Sequence, residues 1–431
     1  MNGMDSRGTR QLAPSSMGVG ASEGGAGDEG GRVDGAEAIT PTRLPMAWRG
    51  GVTVVNIALT GATGFLGLRL LRCLLERHGS LTLLTHSASG EALGRIRRFF
   101  EVTGAPERLT AELPTRLRVV PTDLSRPRMG LPPARYGELA DVLDAIFHSA
   151  GSINLEGDLA SLRRVNVEGT RAVLELAAAG SRRPVVHHVS TAFVAGARRE
   201  GVVYEDELDD THGFENAYER SKYEAETLVH AWSRTHRRPV VVLRPSILVT
   251  NLPPHPELPR HPLQVMDQLV GDALRAAGLA DARGARADLP VARLPGRRYG
   301  HLNMMPVEDA ARAMVRLADR EPSGRVDTYH VVHEHDVPVA AVTELMERLA
   351  PLRTRLVEKR PDDVSALEAS MDFYPGITPY LSHLRRYDDT RVRTALGVPR
   401  SVTRVDVDYL LSGLRPTHPA PPQTVPGEAR H

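Results

Sequence analysis

"TGATGFLG", residues 60–67, stands between the apolar run "VTVVNIAL" (52–59) and the amphipathic stretch "FLGLRLLRCLLERHG" (65–79). A β-forming run, a glycine turn and a helical period read as strand, turn and helix. Gly61, Gly64 and Gly67 suit a tight turn, a close backbone approach by an anionic ligand, and close helix packing. The helix start, at Thr63, Phe65 and Leu66, points unpaired N–H groups at that ligand. This context favours a dinucleotide site over a turn that merely ends a strand.

The alternation continues outward. "LTLLTH" (81–86), "LRVVPTDL" (117–124), "LDAIFHSAG" (143–151), "PVVHHVST" (184–191) and "PVVVLRPSIL" (239–248) read as strands. "RRVNVEGTRAVLELAAAG" (163–180) and "AYERSKYEAETLVHAWSRTH" (217–236) read as helices between them. Near-continuous Val, Ile and Leu suits strands buried on both faces of a parallel sheet. The expected class is α/β, a Rossmann-type doubly wound parallel sheet with a smaller C-terminal substrate-binding lobe. Beyond residue 250, "NLPPHPELPRHP" breaks the rhythm; "VEDAARAMVRLADR" (307–320) and "VDTYHVVH" (326–333) resume it. The expected division is a disordered leader (1–50), a dinucleotide-binding domain with the reactive residues (51–250), and a lobe (251–415) whose late segments return to the sheet. A flexible tail (416–431) follows.

Composition excludes several classes. A formal net charge of +1 gives no reason to expect nucleic acid or an anionic membrane. The single cysteine, Cys73, forms no internal disulfide or cysteine metal cluster, and the 17 histidines lack ligand spacing, so no metal is expected. No apolar run reaches the roughly 20 residues of a membrane span. A cytoplasmic protein is expected.

"NAYERSKYEAE" (216–226) holds Lys222, one of two lysines among 54 basic residues, the other being Lys359. Tyr218 and Lys222, four apart on a helix, share a face. A phenol with a pKa near 10 is a poor acid or base at pH 7, and a compact ammonium beside it favours the phenolate. Ser190 and Thr191 end a strand upstream and offer a hydroxyl for a substrate oxygen; Thr191 is the choice. The second strand closes without an acid. His86 follows it, with Arg95, Arg97 and Arg98 downstream, so NADP(H) is expected over NAD(H). Asp123 in "TDL" suits the adenine edge.

In order, "TGATGFLG", "TDL", "HSAG", "NVEGT", "VST" and "AYERSK" resemble the extended short-chain dehydrogenase/reductases. The stretch 121–177, then "STAFVAG", "NAYERSKYEAE", "LRPSIL" and "MMPVEDAARAM", is similar to their thioester-reductase branch. That branch includes the terminal reductase domains of nonribosomal peptide synthetases, carboxylic acid reductases and fatty acyl-CoA reductases. The resemblance covers about residues 52–400. It implies Thr191, Tyr218 and Lys222 as the catalytic trio. It also implies a cofactor site from Gly61, Thr63, Gly64, Phe65, Leu66, Gly67, His86, Arg95, Asp123, Leu124, Ser149, Ala150, Gly151, Asn166, Tyr218, Lys222, Pro245 and Ser246. His86 departs from the arginine usual in the branch.

The implied activity is NAD(P)H-dependent reduction of an acyl thioester, bound to CoA or to a carrier protein in trans, to aldehyde or alcohol. Two alternatives stand beside it: oxidation or epimerisation of a secondary alcohol on a nucleotide sugar or sterol-like ring, and a dinucleotide-binding regulatory protein. Phe193 and Val194 are candidate substrate contacts. Tyr374 and Tyr380 would extend an apolar wall, and Arg297 and Arg298 are candidates for a CoA or phosphopantetheine phosphate.

Overall fold

A computed structural model describes residues 55–86, 89–276, 289–371, 378–397, 401 and 403–414. All of these belong to one unit, Ala47–His431. The leader, the 416–431 tail, Tyr374 and part of the loop after residue 276 lie outside the described residues.

The first half alternates as its sequence period dictates. In order come β1 (Ile57–Thr60), α1 (Phe65–Leu75), β2 (Leu81–Thr85), α2 (Ser89–Val102), α3 (Glu107–Ala111), α4 (Leu113–Arg116) and β3 (Leu117–Pro121). Next are α5 (Pro133–Val142), β4 (Ala145–His148), α6 (Leu159–Arg163), α7 (Gly169–Ala179), β5 (Val185–Val189) and the short β6 (Val202–Val203). The long α8 (Ala217–His236), β7 (Val240–Pro245) and β8 (Ile247–Val249) close this half.

The second half holds α9 (Pro262–Ala276), β9 (Val291–Pro295), β10 (His301–Leu302), β11 (Met304–Pro306), α10 (Val307–Ala318) and β12 (Val326–Val331). After them come β13 (Val337–Pro338), α11 (Val339–Leu349), β14 (Arg353–Val357), α12 (Ala366–Met371), β15 (Arg386–Tyr387), α13 (Thr390–Leu396) and α14 (Val407–Ser412).

Seven strands form one sheet in the order β12-β7-β5-β4-β1-β2-β3, and every neighbouring pair is parallel. All five residues of β5 and all six of β7 are buried, which explains their unbroken apolar runs. A core of Leu139, Val173, Leu174, Leu176, Val186, Val229, Trp232 and Val240 packs α5, α7 and α8 onto one face. Each such aliphatic side chain, fully buried, contributes roughly 1.5–3 kcal/mol.

The chain direction around the sheet reverses between β1 and β4, the place where open α/β sheets form a ligand crevice. Parallel register puts the residues that follow β1, β2, β3, β4, β5 and β7 along one edge of the sheet, around that crevice. The late strand β12 pairs with β7 at the sheet's end, so residues 326–331 belong to the sheet despite their position in the sequence.

A second apolar cluster joins Phe193, Val249, Leu302, Met304, Val339, Leu345, Tyr380, Leu381 and Leu410. It carries the two-stranded ladders β8–β11, β10–β13 and β9–β14 beyond the main sheet. Among the described residues, no helix is long and apolar enough to cross a membrane.

Candidate active site

Two of the three glycines in the turn admit no side chain. Gly61 has φ +71°, and a Cβ there would lie 2.7 Å from the Ala150 nitrogen. A Cβ on Gly67 would come within 1.9 Å of the Gly61 carbonyl oxygen. Gly64 caps α1 without any side-chain hydrogen bond, so the first N–H groups of the helix have no side-chain acceptor at the cap. A cradle of backbone at a helix start with no side-chain cap, hemmed by the turn after β4, fits the pyrophosphate of a dinucleotide.

The "HSAG" turn is anchored to that cradle through a buried relay. The Ala150 N–H donates to Thr60 Oγ1 (3.1 Å), Thr60 contacts His148 Nδ1 (2.9 Å), and His148 Nε2 contacts Thr170 Oγ1 (3.1 Å). Thr170 donates onward to the Asn166 carbonyl (2.6 Å). That direction makes Nε2 the protonated nitrogen and Nδ1 the acceptor for Thr60. Burial holds His148 down at about 3, with the Lys222 charge adding to the shift, so the ring stays neutral.

Asn166 lies in a π-turn, Arg164–Glu168, between α6 and α7. Its Oδ1 accepts from the Ser152 N–H (2.8 Å), and its Nδ2 donates to the Ser152 carbonyl (3.0 Å) and to Ser221 Oγ (2.9 Å). One amide therefore ties the loop after β4 to α8. The widened turn aims it there, a device that π-bulges commonly serve at sites of function.

Thr191, Tyr218 and Lys222 come together at the end of β5. The Thr191 hydroxyl lies beside the Tyr218 phenol and favours its ionised form, and it donates to the Pro245 carbonyl at 3.5 Å. Thr191 also accepts from the Phe193 N–H (3.3 Å). Ser190 is committed elsewhere: its hydroxyl donates to Glu226 Oε2 at 2.5 Å, inside the fold. Neighbouring residues of an extended strand point to opposite sides, which separates the two hydroxyls.

Burial pushes the Tyr218 phenol up to about 12, the Thr191 hydroxyl opposing the shift and the Glu219 charge adding to it. At neutral pH it is a proton donor. Lys222 donates to the Val189 carbonyl (2.8 Å), and burial lowers it to about 8, with Glu226 pulling the other way. In the chain alone the ammonium is thus held by the strand end, and the direct easing of the phenol expected from the sequence comes from Thr191 instead.

Beneath them lies a buried ion pair that sequence reading missed. Glu226 is 0 % exposed and accepts from Arg244 Nη2 (2.6 Å) and Nε (3.1 Å), while Arg244 is 1 % exposed. Arg244 holds the Glu226 carboxyl well below the usual carboxylate range. Replacing Glu226 with glutamine leaves a buried guanidinium without its counter-charge, which costs about 3–5 kcal/mol. The expected result is a loss of that size in urea unfolding, larger than for E226Q/R244M, in which the stranded charge is gone as well.

Asp123 follows β3, and its carboxylate accepts from the Ser125 N–H (2.9 Å) and hydroxyl (2.6 Å), which depress its pKa, with His86 adding a favourable charge. Leu124 packs where a Cβ on Gly169 would meet it at 3.6 Å. His86 is exposed after β2. Arg95 is paired with Glu91 (3.3 Å), and Arg98 with Glu257 (2.6 Å) and Glu101 (2.9 Å).

Pro245 ends β7, and beside it the Ser246 hydroxyl is buried with no hydrogen-bond partner among the described residues. Phe193 meets the Tyr380 ring edge-on at 4.9 Å, and both belong to the lobe cluster. Val194 is buried. Arg297 pairs with Glu200, and Arg298 lies over the exposed Tyr299 ring.

A parallel sheet with this turn at its switch point is that of an NAD(P)-binding reductase domain of the extended short-chain dehydrogenase/reductase type. The chain belongs to the male sterility protein family, an NAD-binding family whose sequence signature matches residues 59–314. It is 29% identical over 299 residues to a linear gramicidin synthase of Brevibacillus parabrevis, a match that covers 66% of this chain and 5% of that protein. It is also 29% identical over 300 residues to the carboxylic acid reductase of Mycobacterium tuberculosis, covering 66% of this chain and 25% of that one. Among solved structures, the terminal R domain of the myxalamid PKS-NRPS biosynthetic pathway superposes with a TM-score of 0.65 at 26% identity. That superposition covers 84% of this chain and 90% of that domain.

Proposed function

We propose that the chain reduces the carbonyl of an acyl thioester, presented on CoA or on a carrier protein in trans, at the expense of NADPH. The observation that carries this reading is a Thr191 hydroxyl at the end of β5 beside a protonated Tyr218 phenol, along the crevice edge of the sheet. The similarity to a carboxylic acid reductase and to a synthetase R domain supports a thioester over other carbonyls. The reduced nicotinamide, when bound, supplies the hydride.

The chain's own residues do the rest. The Gly61–Gly67 turn and the start of α1 hold the pyrophosphate. Thr191 and Tyr218 donate to the carbonyl oxygen as it gains charge, a preorganised pair in a site shielded from water. Tyr218 then gives up its proton to that oxygen or, on collapse, to the departing thiolate. The Thr191 hydroxyl eases the phenolate left behind, and Lys222, charged below about 8, holds the nicotinamide ribose. NADPH is preferred because β2 ends without the acid that would bind a ribose 2′-hydroxyl.

NADPH loss followed spectroscopically with acyl-CoA and acyl-carrier thioesters tests the reading, and NADPH unoxidised by every thioester refutes it. Oxidation of nucleotide-sugar alcohols with tightly retained NAD⁺ would favour the alcohol-dehydrogenase or epimerase alternative. Cofactor affinity is expected to fall as pH rises through about 8, since Lys222 loses its charge there, and K222M should abolish that dependence. Fluorescence titration of NADPH against pH measures both.

A further inference from the structure

Next to Tyr218 stands Glu219, 0 % exposed, on the inner side of the catalytic helix. Its Oε1 accepts from the Tyr380 hydroxyl (2.8 Å) and its Oε2 from the Glu215 N–H (2.8 Å). The same Tyr380 hydroxyl accepts from Asn216 Nδ2 (2.8 Å), and Asn216 caps α8 by accepting from the Glu219 N–H (3.0 Å). The Tyr380 ring packs edge-on against Phe193, whose N–H donates to Thr191. A closed circuit therefore runs from the lobe segment 378–382, through Tyr380, to both residues that flank the reacting carbonyl.

We propose that Glu219 and Tyr380 are positioning residues that lock the substrate lobe onto the catalytic helix and fix the Thr191–Tyr218 pair in its working geometry. Neither touches the reacting atoms. Two features separate this from simple helix capping. A cap needs only Asn216 and a local acceptor, yet here the acceptor reaches 161 residues along the chain to a lobe tyrosine. A cap at a helix start is ordinarily solvated, whereas this carboxyl is fully buried.

The carboxyl's surroundings make the lock sensitive to pH. Burial raises Glu219 to about 7, with Arg385 opposing and Glu215 adding to the rise. Arg385 faces it from just before β15 and Tyr387 from β15, Tyr380 from the 378–382 segment, Tyr218 from α8, and Glu215, itself paired with His383, from the preceding loop. Above pH 7 the carboxylate accepts both hydrogen bonds at full strength and answers the Arg385 charge. Below it, the protonated acid loses that charge and one acceptor, and the lobe contact loosens.

Hydrogen exchange of the wild-type chain bound to NADPH tests this without any substrate. Protection factors of the 378–383 amides are expected to rise through a transition near pH 7, and E219Q should remove the transition. In carbonyl reduction, E219Q and Y380F are each expected to lower kcat about 10–100-fold, as small misplacements of reacting groups do. NADPH affinity should stay within about twofold, because the pair acts remote from the cofactor cradle. The wild-type acid limb of kcat near pH 7 should vanish in E219Q.

Protection independent of pH between 6 and 8 in the wild type overturns the proposal. So does a lower melting temperature in E219Q with kcat and its pH profile unchanged, which is the signature of capping alone. The kinetic arm rests on the reductase reading and the exchange arm does not, so a chain that reduces no carbonyl but shows the exchange transition loses the former and keeps the lock.

Discussion

Replacing Tyr218 with phenylalanine is expected to lower kcat by about 10²–10⁴-fold, the range for loss of a positioned proton donor. The change deletes one oxygen and leaves the ring. Thr191 keeps its bond from the Phe193 N–H, and Lys222 keeps its bond to Val189, so the strand end that carries them stays in place. NADPH affinity should therefore change by less than about threefold, since the glycine cradle that binds it is distant and intact. Steady-state turnover beside a fluorescence titration separates the two effects. Turnover that survives the substitution would transfer the proton-donor role to another group. The Ser190 hydroxyl is a poor substitute, being bound to Glu226.

The substitution of Gly67 by alanine should act on the opposite quantity. Its Cβ would stand 1.9 Å from the Gly61 carbonyl oxygen and 2.7 Å from the Gly61 carbonyl carbon, and backbone atoms cannot rotate aside. The turn has to move, and Gly61 is already pressed against Ala150 in the turn after β4. NADPH affinity is expected to drop at least about 100-fold, equivalent to roughly 2.7 kcal/mol. Overpacking of this kind also costs about 1–3 kcal/mol of stability. Gly64 supplies the internal comparison: its Cβ would meet the same oxygen at 3.3 Å, a contact that a few tenths of an ångström relieves. The order of effect on affinity should be G67A, then G64A, and the reverse order would contradict the geometry described for the turn.

The strand–turn–helix at residues 57–75 is legible in the sequence because each part follows a local rule: β-branched burial, glycine at a left-handed φ, and a helical apolar period. Tyr218 and Lys222 are legible for a similar reason, since four residues on a helix are one turn. Other features depend on contacts that no local pattern encodes. Glu226 carries no signal in the sequence, because its partner Arg244 is brought against it only by β7. Asn166 enters the site through the family resemblance alone, and the π-turn that aims its amide at Ser152 and Ser221 follows from no local pattern. Glu219 escapes sequence reading although the Asn-x-x-Glu spacing of 216–219 signals a cap; its partner Tyr380 lies in another part of the chain. The choice of Thr191 over Ser190 rests on chemistry, and the structure adds that the two hydroxyls serve different sides of the strand.

Deuterium transfer tests the central claim most directly. With NADPH labelled at the transferable C4 position and an acyl thioester as the only carbonyl, the released aldehyde or alcohol should carry deuterium at C1, with free thiol formed in equal amount. Mass spectrometry of the product reads the label, and a thiol reagent reads the leaving group. Thiol release without deuterium at C1 would make the chain a hydrolase, and neither signal with any thioester would contradict the assignment of thioester reduction.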